Sequence, residues 1–418
     1  MREPAALPPR IRTDSSNPFA QHTMAVRVPA ILEEVLNRSI ASGNPELSAG
    51  QLSAGQLSAV QLSPGQRARI SALRTAIASG DTLPSLPPDA PHASEWRATA
   101  ASRAGQSWSS CDWFFAENYA YRCLAEACDF WQLRQDPFLP IKREEYRGGA
   151  HREALEAAAA IDGPPPRRLE QLLLGSVFGN RIDLSFAASR ERGVLAQADD
   201  LLIDDRRAAR ELLERRSGAV HLVIDNAGTE LSVDLVLAAG LLELLAAPVV
   251  LHVKQHPAFV SDAIPADLSW FITGQDAAAQ ELWSQASAAA TACRQRLHAA
   301  LGSGQLEVAE HAFWNGPRSL WECPPELEAR FADARLVILK GDGHYRRAVG
   351  DALWPPEVPF RQVTSYFPAP LLALRTLKSD PIVGLRPGLA RELDALDARW
   401  RVNGRRAVAC LGGAASEC

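Results

Sequence analysis

Lysine is nearly missing from this chain: of 44 basic residues only Lys142, Lys254, Lys340 and Lys378 are lysines. Arginine serves almost everywhere a generic positive charge would do. Each remaining lysine is therefore a candidate for a site that suits a compact ammonium better than a planar fork. There is no block of basic residues, and the net charge of −5 is spread along the sequence, which argues against a nucleic acid partner. The opening residues MREPAALPPRIRTDSS hold no apolar h-region, so secretion is not expected. Leu235 to Val253 looks superficially like a membrane span but carries Glu243 and Pro248. A charge there is expensive in lipid, and a helix followed by a strand explains the segment better. Seven scattered cysteines form no C-x-x-C pair, which suits reduced thiols in a cytoplasm and gives no zinc-site spacing.

Familiar catalytic motifs are also lacking. No G-x-x-x-x-G-K-[ST] loop, no G-x-S-x-G elbow and no H-E-x-x-H occur. No G-x-G-x-x-G follows the first predicted strand, which weakens dinucleotide binding or an ordinary methyltransferase. No second Asp stands two residues after Asp225, as a phospho-aspartyl phosphatase of the haloacid type would require.

What is present divides into two textures. At 418 residues, one large or two coupled domains are expected. Residues 1–16 read as a disordered tail and 17–215 as a helical region. Inside that region 43–95 reads as a low-complexity linker insertion, because 47–66 repeat as LSAGQ-LSAGQ-LSAVQ-LSPGQ, matching neither helical nor strand period. From 216 to 400 an α/β/α catalytic domain is expected, and 401–418 reads as a C-terminal tail. Apolar runs at 219–224, 249–254, 336–340 and 371–375, separated by helical stretches, predict a mainly parallel sheet covered on both faces. The fold class is therefore α/β with an all-α N-terminal region.

Chemistry is expected beyond the carboxyl ends of these strands. Asp225 and Asn226 follow the first, Lys254 and Asp262 the second, and Lys340, Gly341, Asp342, Tyr345 and Arg346 the third. Arg375, Thr376 and Lys378 follow the fourth, so three of the four lysines fall in this set. Carboxylates with an amide oxygen make a site for a hard divalent cation such as Mg²⁺ or Mn²⁺. Lysine and arginine beside it would hold phosphate oxygens. Gly341 is expected to let backbone approach a ligand, and Gly228 to permit the turn into a helix. His221 and His252 read as core histidines. Trp108, Trp113, Trp131, Trp314, Trp321 and Trp354 read as packing residues.

The segments IDNAGTELSVDLVLA, LHVKQHPAFVSDA, LVILKGDGHYRRAVGD and LLALRTLKSD resemble the metal-dependent damage-control phosphatases, in the branch first described as acidic-residue methyltransferase-like with an R-T-x-K motif. NPFAQHTMAVRVPAILEEVL, WFFAENYAYR and FGNRIDLS extend the likeness upstream. The resemblance implies a helical region packed on an α/β/α core. It implies metal binding by Asp225, Asn226 and Asp262, with Mn²⁺, Co²⁺, Ni²⁺ or Mg²⁺ as the cofactor. It further implies substrate contacts from Asp225, Asn226, Asp342, Gly343, His344, Tyr345, Arg346 and Lys378. The expected substrate is a small phosphometabolite such as fructose 1-phosphate, with Lys340, Arg346 and Lys378 neutralising its phosphate and Asp342 orienting hydroxyls or acting on a proton. His344 stands where relatives commonly have Asn, and Thr229 where an aromatic is common. Glu117, Asn118, Arg122, Asn180 and Asp183 belong to the helical motifs and either face the cleft or join the two regions. The alternative is an S-adenosylmethionine-dependent carboxyl methyltransferase, against which the missing glycine-rich loop counts.

Overall fold

The computed structural model describes residues 1, 3, 4, 7–41, 60–179 and 200–414. Helical turns run from Pro18 to Arg38, with a π-helical turn at Thr23–Arg27 leading into α1 (Val28–Arg38). Pro29 causes the widening: it has no N–H for the Ala25 carbonyl, and Val28 N–H instead reaches Thr23 O. α2 (Pro64–Ser79) and α3 (Trp113–Ala127) pack on α1 around Leu32, Ile70, Trp108, Trp113 and Tyr119.

Two expectations fail in this region. Within the first sixteen residues, Ile11 and Thr13 are buried, and Arg10 and Arg12 form bridges to Ala352 and Asp112. The 43–95 linker is in fact largely structured from residue 60 on, while most of the repeat lies outside the described residues. Its last unit, LSPGQ, is a helix start. Ser63 Oγ accepts from Gln66 N at 3.2 Å, Ser63 N donates to Gln66 Oε1 at 2.7 Å, and Pro64 opens α2. A capping box was hidden inside a repeat that looked like mere spacer.

Downstream come α4 (Leu139–Arg147), α5 (Pro165–Val177) and then the sheet. Its strands are β1 (Leu201–Asp204), β2 (Val220–Val223), β3 (Val249–Val253), β4 (Leu306–Glu310), β5 (Leu336–Lys340), β6 (Leu371–Thr376) and β7 (Ala407–Gly412). They lie in the order β1-β7-β6-β5-β2-β3-β4. Every neighbouring pair is parallel except β6 with β7. Leu222, Leu251, Ile338, Leu372 and Ala409 face one core, shared with α5 and α6 (Gly228–Leu245). Val223, Val337, Leu339, Ala373 and Val408 face the other, shared with α7 (Gly341–Val349) and Phe331. Alternation across a doubly buried sheet gives the α/β/α layers.

Four of the seven strands are those expected from sequence. β1 falls inside the region expected to be all-helical, just before a helix at Arg206–Arg215. β4 is an edge strand carrying Glu307 and Glu310, so its apolar signal is weak. β7 lies inside the segment read as a C-terminal tail, yet pairs with both β1 and β6. Its small residues, Ala-Val-Ala-Cys, gave no strand signal. Leu235 to Val253 is the end of α6 followed by β3, and among the described residues no helix is long and apolar enough to cross a membrane.

Candidate active site

The chain runs from β2 outward to β3 and β4, then returns to β5 on the other side of β2. The crevice between the carboxyl ends of β2 and β5 is thus the topological switch point, where open α/β sheets bind ligands. Asp225 ends the β2 side. Gly341 begins α7 with φ +81°, and a Cβ there would stand 1.9 Å from Asp225 Oδ2. The glycine makes room for Asp225 rather than for a ligand, which corrects its expected role. Gly228 has φ +71°, and a Cβ would strike the Glu145 carboxylate. That carboxylate accepts from Thr229 N at 2.8 Å, capping α6.

Asp262 is drawn to Asp225 by main-chain bonds. Ala227 N donates to Ser261 O at 2.6 Å, and Ala263 N donates to Asp225 O at 2.9 Å. The Lys254 ammonium touches both carboxylates, Asp262 Oδ1 at 2.7 Å and Asp225 Oδ1 at 3.3 Å. Asn226 completes the group: Oδ1 accepts from Ser261 Oγ at 2.8 Å, and Nδ2 donates to Glu230 Oε2 at 2.8 Å. Burial raises the Asp225 pKa above the ordinary carboxylate range. Lys254 pulls it down, and Glu230 and Asp262 push it up further.

Asp342 is fixed differently. Its Oδ1 accepts from Arg375 Nε at 2.8 Å and from Lys378 N at 3.1 Å, so two residues of the R-T-x-K stretch grip one carboxylate. Burial pushes the Asp342 pKa up, but the Arg375 and Arg346 charges outweigh it and hold the carboxyl below its usual value. Arg375 itself is fully buried over the Tyr345 ring and serves as a clamp.

These side chains line one cleft of about 180 Å³ between sheet and helical region. Asp225, Asn226, Asp262, Asp342, Gly343, Arg346 and Lys378 all reach it. Lys340, His344 and Tyr345 do not, which corrects their expected substrate contacts. Lys340 is buried and pairs with Asp234 at 3.1 Å. His344 donates to Ile224 O at 3.2 Å and packs on Trp314. Tyr345 Oη accepts from Val383 N at 3.0 Å, and its ring stacks on Phe360. The reason is periodicity: residues 341–349 form a helix, so 342 and 346 share a face that 344 and 345 leave. Arg346 reaches the cleft with its charge already spent. It pairs with Glu117 at 2.8 Å and Asp351 at 2.8 Å, over the Trp113 ring.

The helical region supplies the other wall: Phe19, Thr23, Arg27, Val28, Trp113, Glu117 and Tyr121. Glu117 and Trp113 therefore face the cleft. Asn118 bonds Phe114 O and Arg122 pairs with Glu126, so these two are structural. Asn180 and Asp183 lie outside the described residues. Thr23 and Arg27 carried no sequence signal beyond their place in an upstream segment. His221 and His252 are a buried stacked pair, as expected of core histidines.

An open, mostly parallel sheet with acids and cations gathered at its switch point marks an α/β enzyme that handles a small polar ligand. The family model described as the damage-control phosphatase ARMT1-like domain matches residues 23–393. The chain belongs to this family and is a metabolite phosphatase. It is 31% identical over 344 residues to the damage-control phosphatase ARMT1 of Mus musculus, covering 73% of this chain and 75% of that protein. It is likewise 31% identical over 340 residues to the Homo sapiens damage-control phosphatase ARMT1, covering 72% and 74%. A crystal structure of a DUF89 family protein from Pyrococcus horikoshii aligns over 96% of this chain and 99% of its own, with a TM-score of 0.48 and 15% identity.

The family does not favour the carboxyl methyltransferase alternative, and the local structure agrees. The turn after β2 offers no open glycine-rich loop, and the α6 N-terminus is already occupied by Glu145.

Proposed function

We propose that the chain is a metal-dependent phosphomonoesterase of small phosphorylated sugars such as fructose 1-phosphate, acting in the cytoplasm. The observation that carries this reading is the meeting of Asp225, Asn226, Asp262, Asp342 and Lys378 from four strand ends in one cleft. The compartment is supported by the six described cysteines, all free thiols.

The donor chemistry fits a hard divalent ion. Asp225 and Asp262 present carboxylate oxygens to a single ammonium, and the Asn226 amide lies beside them. Among the described residues no three His, Cys, Asp or Glu side chains are grouped to enclose an ion. The set proposed has two carboxylates and an amide, so solvent and substrate oxygens would complete it. Asp225, Asn226 and Asp262 would hold Mn²⁺, Co²⁺, Ni²⁺ or Mg²⁺. When bound, the ion would supply Lewis-acid charge to the phosphoryl group.

The protein's own groups do the rest. Lys378 holds the phosphate by its ammonium. Asp342, kept ionised by Arg375, accepts a hydrogen bond from a sugar hydroxyl. The helical wall covers the substrate and limits water. Water attacks in line at phosphorus, the bond to the sugar oxygen breaks, and the sugar oxygen leaves as a hydroxyl, taking up one proton that the water gives up while the other stays on the phosphate. The test is phosphate release from a panel of sugar phosphates with each metal. Release that depends on added metal and disappears in Asp225→Ala and Asp262→Ala supports the reading, and metal-independent release overturns the metal assignment. Label from ¹⁸O-water found in the Asp225 carboxylate after one turnover would replace direct water attack with a phospho-aspartate.

A further inference from the structure

We infer that Arg27 is a substrate-binding residue that grips the anionic ester group from the helical side of the cleft, with Lys378 on the sheet side. This deepens the phosphomonoesterase reading and rests on it. The argument begins with which cations are free. Lys254 is held by Asp225 and Asp262, Lys340 by Asp234, Arg346 by Glu117 and Asp351, and Arg375 by Asp342. Arg27 and Lys378 differ: both line the cleft, both are exposed, and among the described residues neither side chain makes a hydrogen bond or ion pair.

An anion entering this cleft meets Asp225, Asp262, Asp342 and Glu117, so uncommitted positive charge must face it. Lys378 alone is a point charge. A guanidinium adds a planar fork that binds two phosphate oxygens at once. Arg27 does not serve the fold in any visible way. Its charge acts on Glu117, yet no ion pair forms, because Glu117 is taken by Arg346.

The backbone shows how the Arg27 side chain is aimed. Arg27 closes the π-turn whose i→i−5 bond runs from Val28 N to Thr23 O, and Thr23 lines the same cleft. Such turns are rare and recur at functional sites, because the extra residue re-aims the side chains around it. Here the widened turn presents Thr23 and Arg27 toward the acids of the sheet.

The experiment uses the full chain with Mn²⁺ and two readouts, calorimetric binding of inorganic phosphate and steady-state turnover of fructose 1-phosphate. Arg27→Gln should weaken phosphate binding and raise KM by about tenfold or more, with kcat changed less, as expected for loss of one charge-assisted hydrogen bond. Arg27→Lys should recover part of the loss. Phosphate binding by Arg27→Gln within about twofold of wild type overturns the inference, as does a wild-type protein that binds no phosphate. Normal phosphate binding that depends on Arg27, without turnover of any sugar phosphate, upholds Arg27 and overturns the substrate reading instead.

Discussion

The ammonium of Lys142, on helix α4, donates to the main-chain carbonyl of Asp262 at 2.7 Å. The same ammonium pairs with Asp136 at 2.7 Å and Asp267 at 2.8 Å, entirely out of solvent. The helical region thus pins the loop that carries a proposed metal ligand. With Lys254 bridging the two carboxylates and Lys378 in the cleft, three of the four lysines of the chain serve this site, while Lys340 is tied to Asp234 outside the cleft.

Lys142→Met leaves Asp136 and Asp267 buried without their cation. The expected cost is about 3–5 kcal/mol of stability, the usual penalty for breaking a buried ion pair from one side. Activation by Mn²⁺ should need more metal, because the Asp262 loop is no longer held. Urea unfolding and a metal titration of activity check both; an unchanged midpoint would show that the triad carries no net energy.

Gly341→Ala puts a methyl group where Asp225 Oδ2 lies and forces an L residue to φ +81°. Asp225 must turn away, so phosphatase activity should fall by about a hundredfold or more, as for misplaced reacting groups. The backbone strain alone should cost about 1–3 kcal/mol. Activity near wild type in a folded Gly341→Ala protein would separate Asp225 from catalysis.

Burial lowers the pKa of His151 to about 4 and of His221 to about 4, from an unfolded value near 6.5. The folded state therefore binds fewer protons than the unfolded state between these values. The contribution is full above pH 6.5 and is lost as pH falls toward 4, at most about 1.4 kcal/mol per pH unit for each histidine. Asp225 and Asp234, whose pKa values burial raises, act with the opposite sign. The comparison must therefore be between variants. His151→Leu and His221→Phe should each tilt the curve of stability against pH, losing less stability than wild type on acidification. Parallel curves in urea unfolding from pH 7.5 to 4.5 would rule this out.

Strands β2, β3 and β5 were legible because each is a near-continuous apolar run buried on both faces. β7 was not, since Ala407, Ala409 and Cys410 are small and their strand pairing comes from distant partners in β1 and β6. Asp225, Asn226, Asp262 and Asp342 stood out because carboxylates and an amide follow strand ends. His344 and Tyr345 were misread because a contiguous motif looks like a loop until helical periodicity divides it.

The residues themselves dictate which groups are available: the few lysines, the acids after the strands, and glycine at 228 and 341 where positive φ is needed. Local chemistry also dictates the π-turn, since Pro29 cannot supply the missing bond. Only the packed molecule decides which charges are spent. Arg346 looks free on paper and is consumed by Glu117 and Asp351, whereas Arg27 looks ordinary and lines the cleft with no ion pair among the described residues. Pairing depends on distance in space, and residues 229 apart in the chain meet at 2.8 Å only after the helical region closes over the sheet.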